Sequence, residues 1–201
     1  MFDNRLQPLV FKVTHPIAEF LHNKGVRADQ VTIGGFFLGL LACVAVTFGA
    51  FYWALFFLAL NRLSDGVDGE LARLTEPTDQ GAFLDIVLDF LFYNAFAFAF
   101  ILFDPSLNGV AGAVLMLSFM GTGASFLAFA ALAAKRNLKN PKYPNKSLYY
   151  ASGLTEGFET IFIFVLFCIF PQFFPVLALA FATLCFITTF TRVIGGYHSL
   201  R

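Results

Sequence analysis

Six stretches of this chain, residues 31–48, 51–72, 81–103, 109–134, 149–170 and 175–194, are mainly apolar and close to 20 residues long. That is about the length a helix needs to cross the hydrocarbon of a bilayer. In hydrocarbon each backbone N–H and C=O must be satisfied inside the segment, so a single apolar stretch can cross only as a helix. The composition agrees: of 201 residues 58% are hydrophobic, 29 are Phe and 13% are charged, where soluble domains carry about 25% charged residues. The sequence therefore predicts an all-α membrane protein with six transmembrane helices. A formal net charge of +0 gives no global basic character that would argue for a nucleic acid polymer, and no such partner is expected. Cys43, Cys168 and Cys185 stand singly in apolar runs and read as small buried side chains rather than zinc ligands or a disulfide framework.

Residues 1–28 contain no long apolar core, so no signal peptide is expected there. Leu6, Leu9, Val10, Val13, Ile17, Phe20 and Leu21 recur at helical intervals, which predicts an amphipathic interfacial helix before the first span, with Pro8 and Pro16 as points of interruption. The domain reading is one membrane domain over residues 1–201, with 1–28 as its juxtamembrane segment. The connections at 49–50, 104–108 and 171–174 carry no Lys or Arg. Lys12, Lys24, Arg27, Arg73, Lys135, Arg136, Lys139, Lys142, Lys146 and Arg201 all fall at the opposite ends of the spans. The positive-inside rule makes that side cytoplasmic and puts both termini there, as expected for an integral protein of a bacterial inner membrane. Gly35-x3-Gly39 and Gly121-x-Gly123 permit close helix contacts, within one chain or across a dimer.

The second span carries Asp65 and Asp68 in its final turns, and the third carries Asp85 and Asp89 in its opening turns. Spacings of three and four residues put each pair on one helix face, at the cytoplasmic end of one hairpin. From Asp65 to Asp89 the chain holds seven of its 13 acidic residues and one basic residue, Arg73. One arginine cannot neutralise that set where a bare carboxylate is costly. Hard divalent cations are therefore expected, Mg2+ or Mn2+ and two ions together. Such a pair stabilises both the entering and the departing oxygen in a displacement at phosphorus. On this reading Asp65, Asp68 and Asp85 are metal ligands, and Asp89 takes the proton from an acceptor hydroxyl while also touching a metal. Gly69 leaves space for a nucleotide at the backbone, or for helix packing. Arg73 pairs with a pyrophosphate or ties down an aspartate.

In full the hairpin reads Asp65-Gly-Val-Asp68-Gly69-Glu-Leu-Ala72-Arg73, seven residues, then Gly81-Ala-Phe-Leu-Asp85-Ile-Val-Leu-Asp89. It resembles the signature of the CDP-alcohol phosphatidyltransferase family, D-x2-D-G-x2-A-R-x8-G-x3-D-x3-D, with all eight defining residues present. The one departure is a gap of seven residues where the family has eight. Pro77 with Thr75, Thr78 and Asp79 reads as a turn that absorbs it, and Thr78 or Asp79 as the cap of the next helix. The resemblance implies transfer of a phosphatidyl group from CDP-diacylglycerol, or of a related group from another CDP-alcohol, to a small hydroxyl-bearing acceptor with release of CMP. It implies the same division of labour among the four aspartates, and a donor-nucleotide site made of Thr32, Asp65, Gly69, Ala72, Arg73 and Gly81. Thr32 reads equally as a hydroxyl serving the start of its own helix. A homodimer in contact with membrane lipids is also implied.

Glu156 and Glu159 share a face at the start of the fifth stretch, and Arg192 near the end of the sixth is the cation to meet one of them. All three are expected at the acceptor, with structural hydrogen bonding by the glutamates as the alternative. Acids at this point leave the acceptor open among glycerol 3-phosphate, another polyol and a cationic amino alcohol. The basic segment 135–146 attracts anionic headgroups or a phosphorylated acceptor, or simply sets topology. His15, His22 and His198 read as peripheral. A cation-coupled transporter would also place acids in its spans, and an inactive scaffold is a third class. The complete motif, gathered at one membrane face, favours the enzyme.

Overall fold

The computed structural model describes residues 3–136 and 154–200, with side chains from residue 11 onward. Lys139, Lys142, Lys146, Arg201 and the expected start of the fifth stretch at 149 lie outside the described residues. The helices are α1 (Asp3–Asn23), α2 (Ala28–Thr47), α3 (Phe51–Leu74), α4 (Asp79–Phe103), α5 (Pro105–Lys135), α6 (Gly157–Ile169) and α7 (Phe174–Ser199), the last preceded by a 3-10 turn at Pro171–Phe173. No strand occurs among the described residues.

Four of these helical stretches, α2, α4, α5 and Pro171–Ser199, are long and apolar enough to cross a membrane. In α3 the polar residues Asn61, Arg62, Asp65, Asp68, Glu70 and Arg73 crowd the C-terminal half, so its apolar part is short. α6 has 13 residues, about 20 Å at 1.5 Å per residue, against a hydrocarbon thickness of about 30 Å. Helix was expected from residue 149, but residues 154–156 are not helical. The backbone N–H groups of Leu154 and Thr155 instead donate to the Thr188 hydroxyl on α7, each at 3.2 Å. That leaves Glu156 as the N-cap, where its own N–H donates to the Glu159 carboxylate at 3.1 Å.

α1 runs unbroken through Pro8 and Pro16. Ala18 is buried against Val67 and Leu71 of α3, while Phe11, Val13 and Phe20 face outward; the helix is two-faced, as its spacing predicts. Gly49, at φ 70, turns α2 into α3 in a conformation that costs a glycine least. The α3–α4 connection is four residues, 75–78, closed by the Thr78 hydroxyl accepting the Gly81 N–H at 3.0 Å. Thr78 is thus the cap of α4, and the one-residue deletion is accommodated in a tight turn. Asp104 caps α5 by accepting the Leu107 N–H at 3.0 Å and the Ser106 hydroxyl at 2.7 Å. Those bonds hold its carboxyl below the usual range.

Phe92, Phe96 and Phe100 on α4, Phe164 and Phe167 on α6, and Phe174 at the start of α7 form an aromatic core. Phe96 stacks on Phe164 at 4.4 Å and Phe100 on Phe174 at 4.6 Å. The small residues are used within the chain. A Cβ on Gly35 would lie 2.7 Å from Ser64 of α3, and one on Gly39 2.7 Å from Phe92 of α4. Gly121 and Gly123 of α5 meet Thr189 and Phe90 in the same way. In hydrocarbon, helix association rests on such close packing, and here it holds α2 against α3 and α4 and so fixes the acidic hairpin.

Candidate active site

The polar end of α3 and the opening turns of α4 face each other beneath the N-terminal half of α2. One carboxylate oxygen each from Asp65, Asp85 and Asp89 lies within 4.8 Å of the others. α3 and α4 each pack on α2, and the three- and four-residue spacings put the acids along one stripe of each helix; the packing on α2 turns those stripes toward each other. Three oxygen donors so close together are the chemistry a hard divalent cation selects. Asp68, expected as a metal ligand with Asp65 and Asp85, is not one of these three; it lies beside the Thr32 hydroxyl, on the wall of the neighbouring cavity and of the small niche that the other three aspartates also line.

Arg62, not Arg73, is the cation of the cluster. Its Nη2 donates to Asp89 Oδ1 at 3.1 Å, its Nη1 is 3.6 Å from Asp65 Oδ2, and its Nε donates to Asn61 Oδ1 at 2.8 Å. Asn61 is itself buried and fixed by donating to the Gly35 carbonyl at 2.9 Å. The guanidinium also lies over the rings of Phe92 and Tyr93, 5.4 and 6.0 Å from their centroids. The Tyr93 hydroxyl is 3.3 Å from Asp89 Oδ2, so both oxygens of Asp89 meet protein donors. Arg62 lies three positions before the acidic segment 65–89, outside the stretch whose one basic residue is Arg73. The i,i+3 relation of Arg62 to Asp65 is the signal that would have found it. Arg73 turns outward and pairs with Glu70, one turn back on α3. Glu70 in turn lies 3.8 Å from His15 Nδ1 of α1.

Two cavities flank the cluster. One, of 510 Å³, includes Thr32, Asp68, Gly69, Ala72, Gly81 and Asp85 in its wall. Of the six residues expected at the donor nucleotide, Thr32, Gly69, Ala72 and Gly81 line it; Asp65 lies in the 20 Å³ niche behind, and Arg73 lines neither. The Thr32 hydroxyl donates to the Ala28 carbonyl at 3.1 Å, so it serves its own helix while lining the cavity. Gly81 matters locally, since a Cβ there would lie 3.0 Å from the Asp29 carboxylate. His22, read as peripheral, also lines this cavity. The second cavity, of 230 Å³, opens between α4, α5, α6 and α7 and is lined by Asp85, Asp89, Tyr93, Thr122, Glu156 and Arg192 among others. Glu156 and Arg192, distant in sequence, thus reach the side of the cluster opposite the larger cavity, with Asp85 in both walls. Arg192 donates to the Thr122 carbonyl at 3.2 Å and lies 5.7 Å from the Phe126 ring. Glu159 is held at the start of α6 by the Glu156 N–H.

The family profile described as CDP-alcohol phosphatidyltransferase matches residues 26–191. The inner membrane protein YnjF of Escherichia coli is 50% identical over 201 residues, 100% of this chain and 98% of that protein. A phosphatidylinositol phosphate synthase of Streptomyces avermitilis is 41% identical over 81 residues, 39% of this chain and 33% of that protein. Among solved structures, the phosphatidylinositol phosphate synthase of Mycobacterium tuberculosis with CDP-DAG bound superposes with a TM-score of 0.75 over 92% of this chain and 94% of that one, at 21% identity. The same enzyme in complex with manganese and citrate gives a TM-score of 0.72. At that identity the likeness is one of fold.

Proposed function

The chain belongs to the CDP-alcohol phosphatidyltransferase family, and on that premise we propose that it moves a phosphatidyl group from CDP-diacylglycerol to a small hydroxyl-bearing acceptor and releases CMP. The observation that carries this reading is the Asp65–Asp85–Asp89 group standing between two cavities, one suited in residue type and volume to a nucleotide and the other to a small polar molecule. The donor nucleotide occupies the 510 Å³ cavity, where Gly69, Ala72 and Gly81 leave the backbone open to it. The acceptor occupies the 230 Å³ cavity, with its hydroxyl toward Asp89. A new O–P bond forms as the P–O bond to CMP breaks, and Asp89 takes the hydroxyl proton. Asp65 and Asp85, with Asp68 at the cavity edge, hold the divalent ions, Mg2+ or Mn2+ and two of them. Bound there, such ions draw charge from the nonbridging and departing oxygens as it develops.

The same reading makes the chain one domain of six spans, with α1 on the membrane surface, in a bacterial inner membrane. The exposed apolar side of α1 and the basic residues at one set of helix ends support this placement, with both termini and the site cytoplasmic. A homodimer accords with the family. Glu156 and Arg192 select the acceptor, and a zwitterionic or polyol acceptor suits an acid and a base in one small cavity; glycerol 3-phosphate is one member of the panel to be tried. The test is metal-stimulated CMP release from CDP-diacylglycerol by the purified protein across phosphorylated, neutral and amino-alcohol acceptors. A folded protein that releases no CMP with any of them refutes the proposal.

A further inference from the structure

We propose that Arg62 is a built-in counter-cation of the acidic centre, a positioning residue that holds Asp89 and weakens cation binding at the Asp65–Asp89 side of the cluster. The inference rests on the metal-centre reading above and adds to it a residue outside the family signature. All three guanidinium nitrogens are committed, Nε to Asn61, Nη1 toward Asp65 and Nη2 to Asp89. The Asn61 tether to the Gly35 carbonyl and the rings of Phe92 and Tyr93 restrain the group from its other sides. A side chain fixed by this many partners loses little further freedom when the site works, unlike a surface arginine. Its charge sits on one oxygen of Asp65 and one of Asp89, where it competes with any cation approaching the same oxygens and leaves Asp85 the carboxylate of the three not bonded to it. Asp89 meets Arg62 at one oxygen and Tyr93 at the other, which fixes its carboxylate between the niche that Arg62 lines and the 230 Å³ cavity that Tyr93 lines.

The test measures Mn2+ binding to the purified full chain by electron paramagnetic resonance, with CMP release followed in parallel. Arg62→Gln is expected to bind Mn2+ about tenfold more tightly, a modest fraction of the Coulomb repulsion between a unit and a divalent charge a few ångströms apart, while CMP release falls. Arg62→Lys, which restores the charge without the fork, is expected to return affinity toward that of the natural protein. A purely structural role for Arg62 would weaken binding or leave it unchanged. Either result in folded Arg62→Gln overturns the proposal. Should Arg62→Gln fail to fold, Arg62→Met keeps the apolar stem against Phe92 and Tyr93 and gives the same reading. Saturable Mn2+ binding by the natural protein, lost in Asp85→Asn, with no tightening in the Arg62 variants defeats this proposal alone. No Mn2+ binding by the natural protein defeats the metal-centre reading and this one with it.

Discussion

Replacing Asp85 by Asn should raise stability in chelator and remove much of the stability that a divalent ion adds. Asp65, Asp85 and Asp89 offer oxygens within 4.8 Å of one another, and two unit charges at that distance repel by about 3.5 kcal/mol at an effective permittivity of 20. Arg62 bonds to Asp65 and Asp89 but acts on Asp85 only at a distance. The side chains of Asp65 and Asp89 are 40% and 31% exposed, so solvent screening reduces the repulsion relieved in Asp85→Asn to about 1–3 kcal/mol. For a chain of this size each kcal/mol moves the thermal midpoint by roughly 2–4 °C. In chelator the variant should therefore unfold some 2–12 °C above the natural protein. In Mn2+ at 100 times its dissociation constant the natural protein should gain about 2.7 kcal/mol. The variant, lacking a ligand and binding at least about tenfold to a hundredfold more weakly, should gain much less. Thermal unfolding of both proteins in one detergent, with chelator and with Mn2+, checks both changes. If Asp85→Asn is no more stable in chelator, or gains as much from Mn2+, the three carboxylates do not act as one centre.

Three further outcomes follow from the geometry. Asp89→Asn should retain more Mn2+ than Asp65→Asn, Asp68→Asn or Asp85→Asn while losing CMP release, since both Asp89 oxygens already meet Arg62 and Tyr93; equal metal binding in all four removes that partition. Gly39→Ala should cost about 1–3 kcal/mol of stability, because its Cβ would lie 2.7 Å from Phe92, whereas Gly109→Ala, with nothing within 4 Å, should be near neutral; paired thermal midpoints decide it. Glu156→Gln and Arg192→Gln should change the ranking of acceptors more than the apparent affinity for CDP-lipid, because both line the 230 Å³ cavity and neither lines the 510 Å³ one. An unchanged ranking in active, folded variants removes them from acceptor recognition.

Sequence alone determined the helical class, the ends of α2, α3 and α4 to within a few residues, and the gathering of four aspartates at one end of a hairpin. Apolar length and three- and four-residue spacings are properties of a single helix, and a single helix is what a local stretch of sequence specifies. It also identified Thr78 as a candidate cap, because capping uses groups three residues apart. Tertiary structure decided how the helices are rotated against one another and which partner each long side chain takes. That is why Asp68 faces a cavity while Asp65 joins Asp85 and Asp89, and why Arg62 enters the cluster while Arg73 leaves it for Glu70. An arginine reaches partners on either side of its helix, and periodicity is silent on the choice. The start of α6 at Gly157 depends on a Thr188 hydroxyl more than thirty residues away, which no local pattern encodes. The same holds for Glu156 and Arg192, which meet Asp85 and Asp89 across one cavity only because close packing at Gly121 and Gly123 draws α7 and α4 onto α5.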